Sequence, residues 1–153
     1  MKKLIFGLMI LGMANVVHSA TNATLVLTGT VAQVLDLTID SVLSTKTVVL
    51  DLHSNQTDFL VGTVNVRSNA NNGYKLTVAS QNSNQLLHTG GTSNIPYSLK
   101  VGGVSVVGSE EISSPSQTTQ TDYPVTISYT GQPAISLVEG TYEDIVTFTL
   151  TAN

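Results

Sequence analysis

Apolar and polar residues alternate along most of this chain, so that every second side chain is apolar in segment after segment. A period of two is typical of β-strands that bury one face, because successive side chains of a strand point to opposite sides of its sheet. Strands are predicted at residues 23–31, 35–39, 47–52, 59–66, 74–80, 95–101, 104–107, 125–129, 135–138 and 142–152. Their spacing, and the abundance of Thr and Val, predict an all-β fold, an immunoglobulin-like Greek-key sandwich.

Turns rich in glycine and asparagine separate the predicted strands. Asn72–Gly73 lies between two of them and predicts a β-hairpin, because both residues tolerate positive φ. Gly102–Gly103 predicts a second tight hairpin. Two polar stretches, residues 81–94 and 109–121, offer few apolar side chains to a core, and we expect them to be irregular surface loops.

The chain begins with Lys2 and Lys3, an apolar run over residues 4–11, and small residues that end at Ala20. This order predicts a secretory signal peptide over residues 1–20, cleaved after Ser19 or Ala20. The apolar run is too short to span a bilayer. We therefore expect a secreted domain that starts near residue 21.

Removal of the leader leaves four basic against ten acidic side chains, a net charge of about −6. Such a surface argues against nucleic acid and anionic membranes as partners. Cysteine is absent, so packing and strand pairing alone must hold the fold. Only 10% of residues are charged, which leaves a neutral polar exterior suited either to an ordinary secreted domain or to packing against copies of itself.

Residues that could support catalysis are few. The predicted mature chain keeps His53 and His88, and Asp51 would share a strand face with His53. Two such groups fall short of the ligand set of a metal site, and no serine lies in a nucleophile elbow. The sequence predicts neither an enzyme nor a bound cofactor or metal.

The two ends of the mature chain carry the clearest alternation. Near the N-terminus the same strand face holds Ala23, Leu25, Leu27, Gly29 and Val31. A chain terminus is poorly ordered unless it is tied down, so a terminal segment with such an apolar face is expected to pack against other apolar residues. At the C-terminus Val146, Phe148 and Leu150 alternate with threonines.

The N-terminal stretch TNATLVLTGTVAQVLDL and the C-terminal stretch EGTYEDIVTFTLTAN resemble those of chaperone–usher fimbrial subunits. The similarity is greatest to the cysteine-free pilins of the colonisation-factor type and to spore-coat-U-like archaic pilins. The archaic pilins usually carry a disulfide, which this chain lacks.

The resemblance implies a sandwich that lacks its last strand and is completed by a donor strand from a neighbouring subunit. It implies a donor extension over residues 21–33, a pilin-like domain over 34–153, and donor residues Ala23, Leu25, Leu27, Gly29 and Val31. Val146, Phe148 and Leu150 would border the groove and pair with a periplasmic chaperone. The implied partners are other subunits, that chaperone and an outer-membrane usher, and the implied location is a fimbria on the cell surface.

Two other interpretations stay open at this point. The terminal strands could belong to a complete, self-contained sandwich that binds a glycan or another surface ligand. Gly29 could mark a bulge between two ordinary strands rather than the close approach of another backbone.

Overall fold

The computed structural model describes residues 24–153, of which Ala32–Asn153 forms one compact unit. This unit contains eleven strands and a short 3-10 turn at Ala134–Ser136, and the described residues include no α-helix. The strands are β1 (Leu35–Ile39), β2 (Gln56–Ser68), β3 (Tyr74–Ser80), β4 (Gln85–His88), β5 (Asn94–Pro96), β6 (Ser98–Val101), β7 (Val104–Val106), β8 (Ser109–Ser114), β9 (Thr118–Tyr129), β10 (Tyr142–Glu143) and β11 (Val146–Ala152).

The strands form three antiparallel sheets around one core. Their orders are β1-β2-β9-β6-β7, β11-β3-β8 and β10-β4-β5. Every second side chain of β3 and of the last part of β9 is buried, as the period of two predicts. The core consists of Val64, Val66, Tyr74, Leu76, Val78, Leu86, Ile95, Leu99, Val101, Val106, Val125, Ile127 and Tyr129. The predicted all-β sandwich is confirmed.

The predicted hairpin at Asn72–Gly73 is wrong, although its turn is present. Gly73 has a positive φ of 81°, as such a turn requires, but β2 pairs with β1 and β9 while β3 pairs with β11 and β8. The turn therefore carries the chain from one sheet to the other. Val66 on β2 and Leu76 on β3 are both completely buried, which strands achieve by facing each other across a core.

The two polar stretches are not irregular loops. Residues 81–94 contain β4, which is anchored in the core by Leu86. Residues 109–121 contain β8 and the start of β9, and β8 pairs with β3 along its whole length. The polar composition does not predict these strands, because an edge strand is held by backbone hydrogen bonds and can expose most of its side chains.

Within the compact unit two predicted strands are absent and two are divided, one of them residues 142–152, which form β10 and β11. Residues 47–52 and 135–138 contain no strand, although Leu50, Leu52 and Leu137 pack against the core. Residues 95–101 split at Tyr97 into β5 and β6, which belong to different sheets. The predicted hairpin at Gly102–Gly103 is confirmed, since Val101 pairs with Val104 across it.

One lateral side of the sandwich is closed by a short connection. β7 and β8 are the outer strands of their sheets, and only Val107 and Gly108 separate them in the chain. The exposed outer strand β8 carries Glu110 and Glu111, and Glu111 forms an ion pair with Lys75 of β3. The other lateral side, between β1 and β11, has no such connection.

Candidate functional site

The predicted groove residues Val146, Phe148 and Leu150 all lie on β11 and share one face. Phe148 and Leu150 stand opposite Val78 and Leu76 of β3, which are completely buried. Their own side chains are only partly buried, while the threonines between them are exposed. The inward face of β11 is therefore only partly covered.

The reason is that β11 is the outer strand of its sheet. At its two ends Ile145 accepts a hydrogen bond from the Gln81 amide (2.9 Å), and the Asn153 amide donates to the Gly73 carbonyl (3.1 Å). Hydrogen-bonded and non-bonded positions alternate in an antiparallel pair, so the backbone groups of Val146, Phe148 and Leu150 point away from β3. Within residues 24–153, no strand pairs with that side of β11.

β1 presents the same arrangement from the other sheet. The Asn69 amide donates to the Val34 carbonyl, and the Asp40 amide donates to the Thr63 carbonyl. By the same alternation, the backbone groups of Leu37 point away from β2. β1 and β11 approach each other to Cα distances below 8 Å, yet among the described residues no backbone hydrogen bond joins the two strands.

The half-buried apolar residues of the domain concentrate along this side, which we call the open seam. A cavity of about 440 Å³ lies where segment 50–53 faces segment 134–142, and Tyr142 of β10 is among the residues that line it. β10, which directly precedes β11, is also the outer strand of its sheet. The partly buried residues of the seam are Leu37 and Ile39 on β1 and Val146, Phe148 and Leu150 on β11, and the cavity beside it is lined by Leu50, Leu52, Leu137 and Tyr142.

Asp144 fixes the start of β11. Its carboxylate accepts hydrogen bonds from the Tyr97 hydroxyl (2.6 Å), the Ser80 hydroxyl (2.6 Å) and the Asn82 amide (2.9 Å). Burial, together with the bond to this carboxylate, raises the pKa of Tyr97. Three donors, two from the end of β3 and one from Tyr97 between β5 and β6, thus position the open edge strand without a disulfide.

The predicted donor residues Leu25, Leu27, Gly29 and Val31 are in no strand, and all of them are exposed. The Leu27 side chain is 85% exposed. A Cβ atom added at Gly29 would meet no atom within 4 Å. Ala23 and the predicted signal peptide lie outside the described residues. The donor role and the alternative bulge at Gly29 both stay predictions.

The two histidines are held by backbone groups rather than by carboxylates. His53 Nδ1 lies 3.0 Å from the Gln132 carbonyl, and His88 Nε2 lies 2.9 Å from the Glu139 carbonyl. Asp51 accepts hydrogen bonds from the Ser54 hydroxyl and the His53 amide, which lower the pKa of Asp51. In the described part of the chain, no three His, Cys, Asp or Glu residues are grouped so that they could hold a metal ion.

Sequence reasoning missed much of the seam beyond the two terminal strands. The alternation predicts strands at Leu50, Leu52 and Leu137 that do not form, and it predicts one continuous strand through Tyr142 and Asp144 where the structure has two. A usable signal was the pair Glu143–Asp144, because two successive acidic residues break the alternation where the chain changes sheets.

Comparison of the chain with protein-family models gives no match, and comparison with curated proteins gives none either. Among residues 24–153 there is no helix with the length and apolarity needed to cross a membrane.

Proposed function

We propose that this protein is a structural subunit of a bacterial surface fimbria that polymerises by donor-strand exchange and supports adhesion. The observation that carries the proposal is the free edge of β11, whose inward side chains are only partly buried, beside the free edge of β1. A free strand edge pairs readily with another extended chain. The occupant we propose is the N-terminal segment of a second copy, residues 21–33.

The segment suits the seam in both its backbone and its side chains. An inserted strand would pair with the outward-facing backbone groups of Phe148 and Leu150. Its face with Leu25, Leu27 and Val31 would cover the partly buried residues of the seam, and its other face carries threonines that suit solvent. Gly29 would leave room where the two backbones approach closely.

Insertion would require a small movement of β1. A strand seated between two others needs about 9.5 Å between its neighbours, twice the usual strand spacing. β1 and β11 approach more closely than that. The seam would therefore open by at least about 1.5 Å as the donor enters.

The tail of one subunit would fill the seam of the next, so the contact would be head-to-tail and would grow a filament rather than close a dimer. An unfilled seam would expose apolar surface and invite aggregation during export. This hazard supports a periplasmic chaperone as the first partner and an outer-membrane usher as the second, as the resemblance implies. The predicted signal peptide supports passage through the periplasm.

Residue-resolved amide hydrogen exchange tests the proposal on the full mature chain. In unassembled protein, Phe148 and Leu150 should exchange quickly, while Thr147 and Thr149, which bond to β3, should be protected. In assembled multimers all four amides should be protected, and the two threonines serve as the matched control within the same strand. Unchanged fast exchange at Phe148 and Leu150 in multimers would refute the proposal.

The same experiment separates the rival function. A self-contained sandwich that binds a glycan would remain a soluble monomer at all concentrations. The rate of amide hydrogen exchange along β11 would not depend on protein concentration. On a glycan array, such a protein would bind to one or more of the immobilised glycans.

A further inference from the structure

The compact unit has two ends, which differ in character. At the first, called the Asn69 end, the Asn69 side chain donates to the Ala32 carbonyl (2.8 Å) and accepts from the Val34 amide (2.6 Å). The side chain of the C-terminal residue, Asn153, bonds to carbonyls of Asn72 and Ser114 at the same end. The Asn69 end is thus tightly hydrogen-bonded, and it is where the domain begins.

The opposite end, called the Ile135 end, exposes apolar side chains. It is formed by segments 49–55 and 131–141, which are joined by a hydrogen bond from the Gln132 amide to the Leu52 carbonyl (2.8 Å). Ile135 is 96% exposed and Val138 is 55% exposed; Val138 lines the cavity, and Ile135 follows Ala134, which also lines it. Burial of a side chain as exposed as that of Ile135 against a partner would be favourable, because it removes apolar surface from water.

No spacer separates the proposed donor segment from the domain that follows it. Val31 is its last inward residue, and Ala32 is already held by Asn69. One residue spans at most about 3.6 Å. A donor strand that fills a neighbour's seam therefore brings its own Asn69 end against that neighbour, at whichever end the strand leaves the seam.

The direction of the donor strand selects that end. Every strand pair of the described chain is antiparallel, and antiparallel pairing is the more stable per residue. β11 runs from the Ile135 end towards the Asn69 end, since Val146 pairs with Ser80 and Ala152 with Tyr74. β1 runs in the opposite direction, so a donor seated between the two strands is antiparallel to one of them and parallel to the other. β11 has the longer free edge, and a donor that pairs antiparallel with β11 leaves the seam at the Ile135 end.

We propose that Ile135 and Val138 form a stacking surface that receives the Asn69 end of the next copy of this chain. This inference rests on the proposed function and adds the second contact between subunits. Val34, which is 51% exposed at the Asn69 end, is the apolar counterpart available on the incoming copy. Without this contact, successive subunits would be joined only by the donor strand and would move freely about it.

Cysteine reactivity tests the surface, because the chain contains no cysteine of its own. Three single variants of the full mature chain are compared, Ile135→Cys, Asn72→Cys and Ser105→Cys. Asn72 is exposed at the Asn69 end, and Ser105 is exposed in the middle of β7 and serves as the control. Each variant is treated with a maleimide before and after assembly into multimers.

We expect all three thiols to react quickly before assembly. In multimers, the thiols of Ile135→Cys and Asn72→Cys should react about tenfold more slowly or slower still, while that of Ser105→Cys should be unchanged, because access controls thiol reactivity. If multimers form and Ile135→Cys stays as reactive as Ser105→Cys, the stacking surface is refuted and the proposed function stands. Protection of Asn72→Cys alone would mean that two Asn69 ends meet, which also refutes it. Failure of the unsubstituted chain to form multimers would instead refute the proposed function.

Discussion

Truncation of Leu27 to alanine is the most direct probe of the donor segment. Leu27 is 85% exposed in the structure, so almost its whole side chain is available for burial in a neighbour. In the unassembled chain the same exposure means that Leu27→Ala should leave the stability of the domain unchanged. The substitution therefore acts on assembly alone.

The expected magnitude follows from core substitutions. Truncation of a packed leucine to alanine costs about 2–5 kcal/mol of binding or folding free energy. Because the seam can relax around the gap, we expect a cost in the lower part of this range, about 2–3 kcal/mol. Each 1.4 kcal/mol is a factor of ten, so the contact between subunits weakens by about 30- to 150-fold. Most of that change should appear as faster dissociation.

Val26→Ala is the matched control, since Val26 is also exposed but lies on the opposite face of the segment. In a filled seam Val26 would face solvent, and its truncation should change the dissociation rate by no more than about twofold. The assay is the rate at which multimers release monomer at one fixed guanidinium concentration, followed by size-exclusion chromatography. Equal acceleration by both variants would refute the assigned inward face. No acceleration by either would refute burial of the segment.

Three further predictions concern other positions. Gly29→Leu should leave the unassembled domain unaltered, because the position has open space around it. In a neighbour's seam the added side chain would be overpacked, at a cost of about 1–3 kcal/mol, and heat-dissociable multimers should be absent from an unheated gel. Normal multimers would contradict the donor register. Tyr97→Phe removes one of three donors to Asp144 and should lower the free energy of unfolding by about 1–2 kcal/mol in denaturant titrations at pH 7. Because the pKa of Tyr97 is raised in the folded state, its contribution to the free energy of unfolding is complete below about pH 10 and is lost as the pH rises further. If Tyr97→Phe lowers the free energy of unfolding equally at pH 7 and pH 11, the hydrogen bond to Asp144 is not the source of the effect. Gly73→Ala should lower the melting temperature more than Gly103→Ala. Both glycines have positive φ, but only at Gly73 would an added Cβ lie 1.9 Å from the Ser114 carbonyl. Similar losses would show that backbone strain, and not the clash, sets the loss of stability.

The alternation of apolar residues was sufficient to predict most of the sandwich. It located β1 and β3 with correct bounds and identified the inward face of β11, because one face of each strand packs on the core. It could not predict which strands are neighbours. The turn at Asn72–Gly73 predicts that the strands on its two sides pair as a hairpin. In the structure these strands belong to different sheets and face each other across the core, and the alternation within each strand does not distinguish the two arrangements.

The same limit applies to the candidate site. Phe148 and Leu150 were predicted from their own pattern, but the cavity beside the seam is lined by Leu50 and Leu137, which lie in segments without strand pairing. Their positions depend on side-chain packing at long range, and a local period carries no information on that. Whether the seam is filled by a second copy depends on two chains together, so a single sequence can only suggest it.

The acidic strand β8 has a consequence for growth in other directions. Filling the seam would remove the free edge at β11 but leave β8 as the outer strand of that sheet, with Glu110 and Glu111 exposed along it. Carboxylates on an outer strand repel the same strand of another molecule and oppose edge-to-edge pairing. Filaments of the proposed kind would thus keep an acidic edge that does not pair with the same edge of another filament, and we expect that neutralising Glu110 and Glu111 makes this edge sticky and increases lateral association in light scattering.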